Sequence, residues 1–320
     1  MPDARPTAWP ALAVAAIVGI SAGAGAVAAP LVPERVTFDS FDRNAAGVPV
    51  RLTALRYSPE GVAPARGAVI ALHGCGGIYG SAKGREHRPT PRHQAMAEML
   101  VGEGYVVLFP DSLNPRGRRE LCTTKLNERN ITVANRRLDA LASLAWLQAQ
   151  PGIAADRVAL LGWSHGGSTT LAATNAKNAA VAAFLRPRDA PFFATAIAFY
   201  PGCAAYARRP ERFAPAAPLR ILIGESDDWT PAAPCAKLAE AMAARALPVV
   251  VKIYPDTYHD FDAPGARMRV RRDVPNGTNP GKGVTTGGNA AAREDAYAQV
   301  KAILRASIGD GPRSFLPGGN

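Results

Sequence analysis

The sequence predicts an α/β fold in which a mostly parallel sheet is covered by helices on both faces. Three observations carry that expectation. Short continuous apolar runs alternate with helix-length amphipathic segments along most of the chain, as expected for strands buried on both faces and joined by crossover helices. Several of the runs end in turns rich in Gly, Pro, Asp, Ser and His, and ligands of such sheets bind at the carboxyl ends of the strands. Finally, 320 residues at 48 % hydrophobic content are enough for one full core. Residues 29–320 therefore read as a single domain behind a leader.

The elements follow in order. Residues 51–57 alternate apolar and polar with period two, as expected of a half-exposed edge strand. Residues 67–72 form a buried strand ending in His73-Gly74-Cys75-Gly76-Gly77, and 105–109 another, ending in Pro110-Asp111. Residues 94–103 between them read as a helix. A longer helix spans 133–150, with Leu138, Leu141, Ala142 and Ala145 on one face, and Pro151-Gly152 stops it. Strand 157–161 leads into Ser164 and a small-residue helix. Strands 194–199, 219–223 and 249–254 follow, with a helix over 232–247, and a last helix spans 290–308. Three long loops, 78–92, 112–130 and 263–289, interrupt the pattern. Long loops in a compact domain are functional or mobile; here they either shape a substrate mouth or are disordered surface insertions.

The first residues have the form of an export signal. Arg5 lies in a short polar start, 8–18 is apolar, and Ala26-Val27-Ala28 is an A-x-A-like site, so cleavage after Ala28 is expected. The alternative is a retained anchor, but Pro10 and several glycines make it a weak span, and no stable membrane span is expected once the signal is removed. A periplasmic or secreted protein follows. Net charge is +11, with basic residues clustered at 83–92, 116–119, 186–209 and 267–272. These segments lack the aromatic interleaving or recognition-helix pattern of a nucleic-acid reader, so no nucleic acid is expected as partner. The positive surface either attracts anionic substrates or envelope surfaces, or reflects an arginine-rich proteome. Nothing in the sequence sets the oligomeric state.

The densest chemistry is Gly162-Trp163-Ser164-His165-Gly166-Gly167, a Gly-x-Ser-x-Gly turn between a strand and a helix. A serine hydroxyl is a poor nucleophile until the backbone presents it and a base activates it. A sharp strand-to-helix turn does the presenting, and the helix N-terminus aims free N–H groups at a forming oxyanion. The alternative is a Gly-rich packing turn. Among five histidines, His165 follows the serine and is expected to turn its ring away, leaving its backbone N–H to matter. His73 lies upstream of the serine, and His87 and His93 lie in or beside a basic loop. His259, just past the final strand, remains as base, in the Ser…Asp…His order that such an elbow uses. The acid is expected in Gly224-Glu225-Ser226-Asp227-Asp228-Trp229-Thr230-Pro231: Asp227 first, with Asp228 and Asp256 as rivals. The backbone amides of Cys75 and His165 are the expected oxyanion donors. Asp111 and Arg116 are candidates for the substrate mouth, where Arg116 either meets a substrate carboxylate or closes a structural salt bridge. No Gly-Lys-Ser/Thr follows the glycines at 74–77, which argues against a phosphate loop. Ligands with metal spacing are absent, so no metal is expected.

These four motifs, 73–77, 162–167, 227–231 and Tyr258-His259-Asp260-Phe261-Asp262, resemble those of the dienelactone hydrolase family of α/β-hydrolases over about residues 45–310. The resemblance implies an eight-stranded sheet and hydrolysis of a small-molecule ester or lactone without a cofactor. The family's best-known activity uses a cysteine at the elbow, so Ser164 implies a serine esterase acting through an acyl-enzyme. An acyltransferase or peptidase on the same residues, or a non-catalytic hydrolase-like binding protein, are the other readings. In the sheet that the resemblance implies, the strands before Cys75 and Cys122 are neighbours, as are those before Cys203 and Cys235. Disulfides Cys75–Cys122 and Cys203–Cys235 are therefore expected in an exported chain.

Overall fold

The computed structural model describes residues 31–60, 67–80, 84, 87–186 and 191–309, together with Met1 and Asp3. Its contacts divide the chain into Met1–Leu31 and Val32–Asn320, and the account below concerns the second unit. The expected signal peptide, 1–28, and its cleavage site lie outside the described residues apart from Met1 and Asp3. Among the described residues no helix is long and apolar enough to cross a membrane.

The chain runs β1 (Glu34–Arg43), β2 (Pro49–Tyr57), β3 (Ala68–Leu72), α1 (Pro91–Gly102), β4 (Val106–Asp111), α2 (Val133–Gln148), β5 (Val158–Trp163), α3 (His165–Thr174), α4 (Ala179–Leu185) and β6 (Thr195–Phe199). It continues through α5 (Ala204–Ala207), β7 (Leu219–Gly224), α6 (Ala232–Ala243), β8 (Val249–Tyr254), β9 (Arg269–Arg271), β10 (Val284–Thr286) and α7 (Ala290–Ile308). Eight strands form one sheet in the order β1-β2-β4-β3-β5-β6-β7-β8. The β1–β2 and β2–β4 pairs are antiparallel and the rest are parallel, so the expected α/β class and eight-stranded sheet are observed. β3, β4, β5 and β6 are buried at every residue, which is why their sequences read as unbroken apolar runs rather than alternating ones. Full burial of each Leu, Ile or Val there contributes about 1.5–3 kcal/mol.

Two expectations need correction. Residues 51–57 are not an edge strand, since β2 pairs with β1 on one side and β4 on the other. The edge is β1, whose alternating charged residues disguise it: only Phe38 and Ser40 are buried. The alternation in β2 records one face turned to the core and one to solvent, not a free edge. The loop 263–289 is no disordered insertion either. It folds as an antiparallel pair, β9 with β10, and Asp228 holds it by accepting from Thr285 N at 2.7 Å and Thr285 Oγ1 at 2.8 Å.

Helix boundaries follow their caps. Thr90 caps α1 by accepting from the His93 amide, with Pro91 in the first turn, which starts the helix earlier than its apolar pattern suggests. Thr132 caps α2, accepting from Ala134 N while Asn135 Oδ1 accepts from Thr132 N. Both expected disulfides are present, Cys75–Cys122 and Cys203–Cys235. The first ties the turn after β3 to the loop after β4, where Leu121 N also donates to Cys75 O at 2.8 Å.

Candidate active site

Ser164 stands between β5 and α3 with φ of 52° and ψ of −114°. A positive φ is costly for a residue with a Cβ and persists only where the surroundings enforce it. The enforcement is visible in the glycines. A Cβ on Gly166 would overlap the carbonyl of Leu72, and one on Gly162 the carbonyl of Gly166. Only bare backbone lets the turn close that tightly against β3. Ser164 N donates to Phe199 O at 2.9 Å, fixing the turn to the end of β6.

The turn 73–77 packs directly against this elbow: a Cβ on Gly74 would lie 3.6 Å from the Ser164 Cβ. Among the described residues Cys75 N donates to no backbone carbonyl, and His165 is the first residue of α3, whose amide lacks an intrahelical acceptor. Ser164, Cys75 and His165 line one cavity of about 390 Å³ with Leu126, Val133 and Trp229 on its apolar walls.

His259 and Asp227 are brought together. Nδ1 of His259 lies 2.7 Å from Asp227 Oδ2, and both side chains are fully buried. Asp227 Oδ1 accepts from Trp229 N at 2.9 Å and Thr230 N at 2.8 Å, so its carboxylate is held at both oxygens and Nδ1 carries the proton. Burial alone would lower the imidazole pKa; the Asp227 charge and hydrogen bond outweigh it and raise His259 above the ordinary histidine value. Asp228 and Asp256 do not reach the imidazole in this way: Asp228 is bonded to Thr285, and Asp256 is exposed in a turn.

Ser164 and His259 make no direct hydrogen bond, and His259 Nε2 is buried without a protein partner. The two residues are linked by what surrounds them. Trp229 and Thr230, which line the cavity with Ser164, flank the imidazole: the Trp229 ring centroid is 4.7 Å away and Thr230 Oγ1 is 3.1 Å from Nδ1. Tyr200 packs against the ring at 4.4 Å. Catalytic hydrogen bonds are often long in unliganded enzymes and tighten with substrate.

Beneath the imidazole lies a buried polar cluster that the sequence reading missed. Asp262 Oδ1 accepts from Tyr200 OH at 2.5 Å and Oδ2 from Trp163 Nε1 at 2.7 Å. Arg92 donates to Tyr200 OH at 2.9 Å and to Asp260. Asp262 thus joins the His259 loop to the residue before Ser164. Burial opposes the ionised form of Asp260, but Arg92 overrides it and holds the carboxyl at about 2. Burial raises the pKa of Asp262, with Arg92 and the bonds from Tyr200 and Trp163 acting against the rise. The signal in the sequence was the acid pair flanking Phe261, whose partners lie far away in the chain. Thr230, also missed, places its hydroxyl 3.1 Å from Asp227 Oδ2 and 3.0 Å from Tyr200 O.

The two candidates for the substrate mouth, Asp111 and Arg116, are placed elsewhere, and for Arg116 it is the structural salt bridge of its two readings that is found. Asp111 is buried, where it accepts from the amides of Leu113 and Asn114. Arg116 forms ion pairs with Asp42 and Asp139 and thereby pins β1 onto α2. Neither lines the cavity, because Asp111 is taken up by the loop after β4 and Arg116 by Asp42 and Asp139. The ring of His165, expected to turn away from the nucleophile, has its Nδ1 3.1 Å from Nη1 of the buried Arg136. Among the described residues no cluster of ligands fit to hold a metal ion occurs.

The family model for the dienelactone hydrolase family matches residues 52–308. The chain belongs to the dienelactone hydrolase family. Members of the wider fold confirm the architecture. A putative dienelactone hydrolase from Klebsiella pneumoniae is 15 % identical, with 85 % of this chain and 98 % of that one covered at a TM-score of 0.57. Thermogutta terrifontis esterase 2 phosphorylated by paraoxon is 17 % identical, covering 88 % of this chain and 96 % of that one at 0.59. The acylaminoacyl peptidase of Pyrococcus horikoshii is 15 % identical at 0.59, covering 90 % of this chain but 44 % of the peptidase. At such identities the likeness is one of fold. A comparison with curated proteins finds no match.

Proposed function

We propose that this dienelactone hydrolase family protein is a serine hydrolase that cleaves carboxylic esters or lactones through an acyl-enzyme. Ser164 is the nucleophile, His259 the general base and Asp227 the group that fixes its tautomer. The observation that carries the reading is the Asp227–His259 bond, which leaves Nε2 as the unprotonated nitrogen of a ring packed against Trp229 and Thr230, two residues that line the cavity with Ser164.

In the forward step His259 Nε2 takes the Ser164 proton while Oγ attacks the ester carbonyl. The developing oxyanion is received by the Cys75 and His165 amides. His259 then returns the proton to the leaving alkoxide, and a water activated by the same nitrogen releases the acid. Membership of the family and the fold-level likeness to esterases support a hydrolase; Ser164 in place of cysteine supports ester over dienelactone chemistry. Two disulfides support an oxidising compartment, in line with export to the periplasm or beyond.

Hydrolysis of short p-nitrophenyl esters and simple lactones by the purified chain and its Ser164→Ala variant tests the reading. The variant is expected to lose about 10⁴-fold or more in kcat, with a residue of rate from the oxyanion site. Equal turnover by the two proteins would refute it.

A further inference from the structure

Behind the cavity wall lies a charge that the proposed chemistry does not use. Arg136 of α2 is fully buried, and among the described residues no carboxylate forms an ion pair with it. Asp139 and Asp111 favour its charge through space without outweighing the cost of burial, so its contacts call for a reason. Nη2 donates to the carbonyl of His73 at 2.6 Å, and Nη1 lies 3.1 Å from Nδ1 of His165. A guanidinium has donors only, so Nδ1 of His165 must be the acceptor and the imidazole proton must sit on Nε2. In a five-membered ring that N–H points roughly opposite to the bond from Arg136. His165 lines the cavity beside Ser164 and is partly exposed, and among the described residues no protein group bonds its Nε2. Burial, with Arg136 and Arg129 nearby, keeps the ring neutral by lowering its pKa well below the usual range, while Arg136 itself, pushed down to about 10 mainly by burial, stays charged at neutral pH.

We infer that His165, through its Nε2–H, is a specificity-determining donor that binds an oxygen acceptor of the substrate a few bonds from the scissile carbonyl, and that Arg136 is the positioning residue that fixes its tautomer. The inference rests on the serine-hydrolase reading and adds a substrate class to it: esters bearing an ether, hydroxyl or carboxylate oxygen near the reacting group. The walls around His165 include Leu126, Val133, Trp229 and Pro231. An all-alkyl substrate filling that space strips the donor of solvent and offers nothing in return.

Matched ester pairs test it on both sides of the carbonyl. One pair is p-nitrophenyl methoxyacetate against p-nitrophenyl butanoate; the other is 2-methoxyethyl acetate against butyl acetate. Each kcat/KM is divided by the rate of alkaline hydrolysis to remove intrinsic reactivity. The wild-type chain is expected to favour the ether ester by roughly tenfold or more in at least one pair. His165→Phe lowers activity on both members and brings that ratio to about one, whereas His165→Gln, which keeps a donor, retains part of it. A wild-type ratio near one in both pairs, or a preference that survives in His165→Phe, overturns the inference while leaving the serine-hydrolase reading intact. Absence of Ser164-dependent hydrolysis of all four esters overturns both. Nitrogen-15 NMR of the His165 ring in the wild-type chain supplies a readout apart from activity: a protonated Nε2 with bare Nδ1 is expected, and the opposite tautomer overturns the inference.

Discussion

His259 Nδ1 and Asp227 Oδ2 lie 2.7 Å apart with both side chains fully buried, and the neighbouring Asp228 is committed elsewhere, to Thr285 of β10. Two adjacent acids thus do separate work: one orients an imidazole, the other anchors a hairpin. Asp227→Asn is expected to lower kcat by about 10⁴-fold, because the amide favours the wrong tautomer of His259. Asp228→Asn leaves the imidazole bond in place and is expected to act chiefly through the loop 263–289. Parallel kinetics on the two variants check this; an equal or larger loss for Asp228→Asn would reverse the assignment.

The Asp227 contact also sets the pH dependence. It raises the His259 pKa in the folded protein, and a general base works only when neutral. The kcat/KM profile should therefore fall on the acid side with an apparent pKa above about 6.5, the ordinary histidine value. The sign for stability is opposite to that for activity. A raised folded-state pKa gives stabilisation that is complete below the unfolded value and fades as pH rises through the folded one. Rate profiles and denaturation midpoints over the same pH range measure both signs; an acid limb below the ordinary value would contradict the first.

Asp262 receives Trp163 Nε1 and Tyr200 OH in the interior, with Arg92 in the same cluster. Asp262→Ala strands two buried donors, Trp163 Nε1 and Tyr200 OH, and removes a charge facing Arg92; it is expected to cost about 3–5 kcal/mol. Urea denaturation measures this, and a loss below about 1 kcal/mol would show the cluster to be replaceable.

Much of the fold was legible because its strands are buried on both faces. The unbroken apolar runs of β3 through β7 leave little choice of state, and α7 follows its periodicity from Ala290 to Ile308. What escaped has physical causes. The edge strand β1 exposes most of its residues, so its pattern is that of a polar loop. The hairpin β9–β10 is held by Asp228 and by single buried valines, Val274 and Val284, rather than by a periodic apolar run that the sequence would display. In the site, the serine, histidine and acid could be read because each follows a strand end. Arg116 could not: its partners Asp42 and Asp139 stand 74 and 23 residues away, and only the folded chain brings them to it. The same holds for Arg136 against His165, and for Asp262 against Trp163.

The Cys75–Cys122 disulfide closes a separation of 47 residues, for which loop-closure entropy gives about 4 kcal/mol of stabilisation. It also braces the turn in which Cys75 lines the cavity with Ser164. Cys122→Ser paired with Cys75→Ser is expected to lower the unfolding free energy by about 2–4 kcal/mol and kcat more than it raises KM. Calorimetry and steady-state kinetics on the double variant check both effects; unchanged kcat would detach the bridge from the oxyanion site.

Activation of Ser164 by the Asp227-bonded His259 is read out by covalent labelling. A fluorophosphonate is incubated with the folded wild-type chain and with His259→Ala, and the adduct is located by peptide mass spectrometry. One adduct per chain is expected, on Ser164, with labelling slowed by about 10³-fold or more in the variant. An adduct on another residue, or labelling of Ser164 that proceeds equally fast without the imidazole, would contradict it.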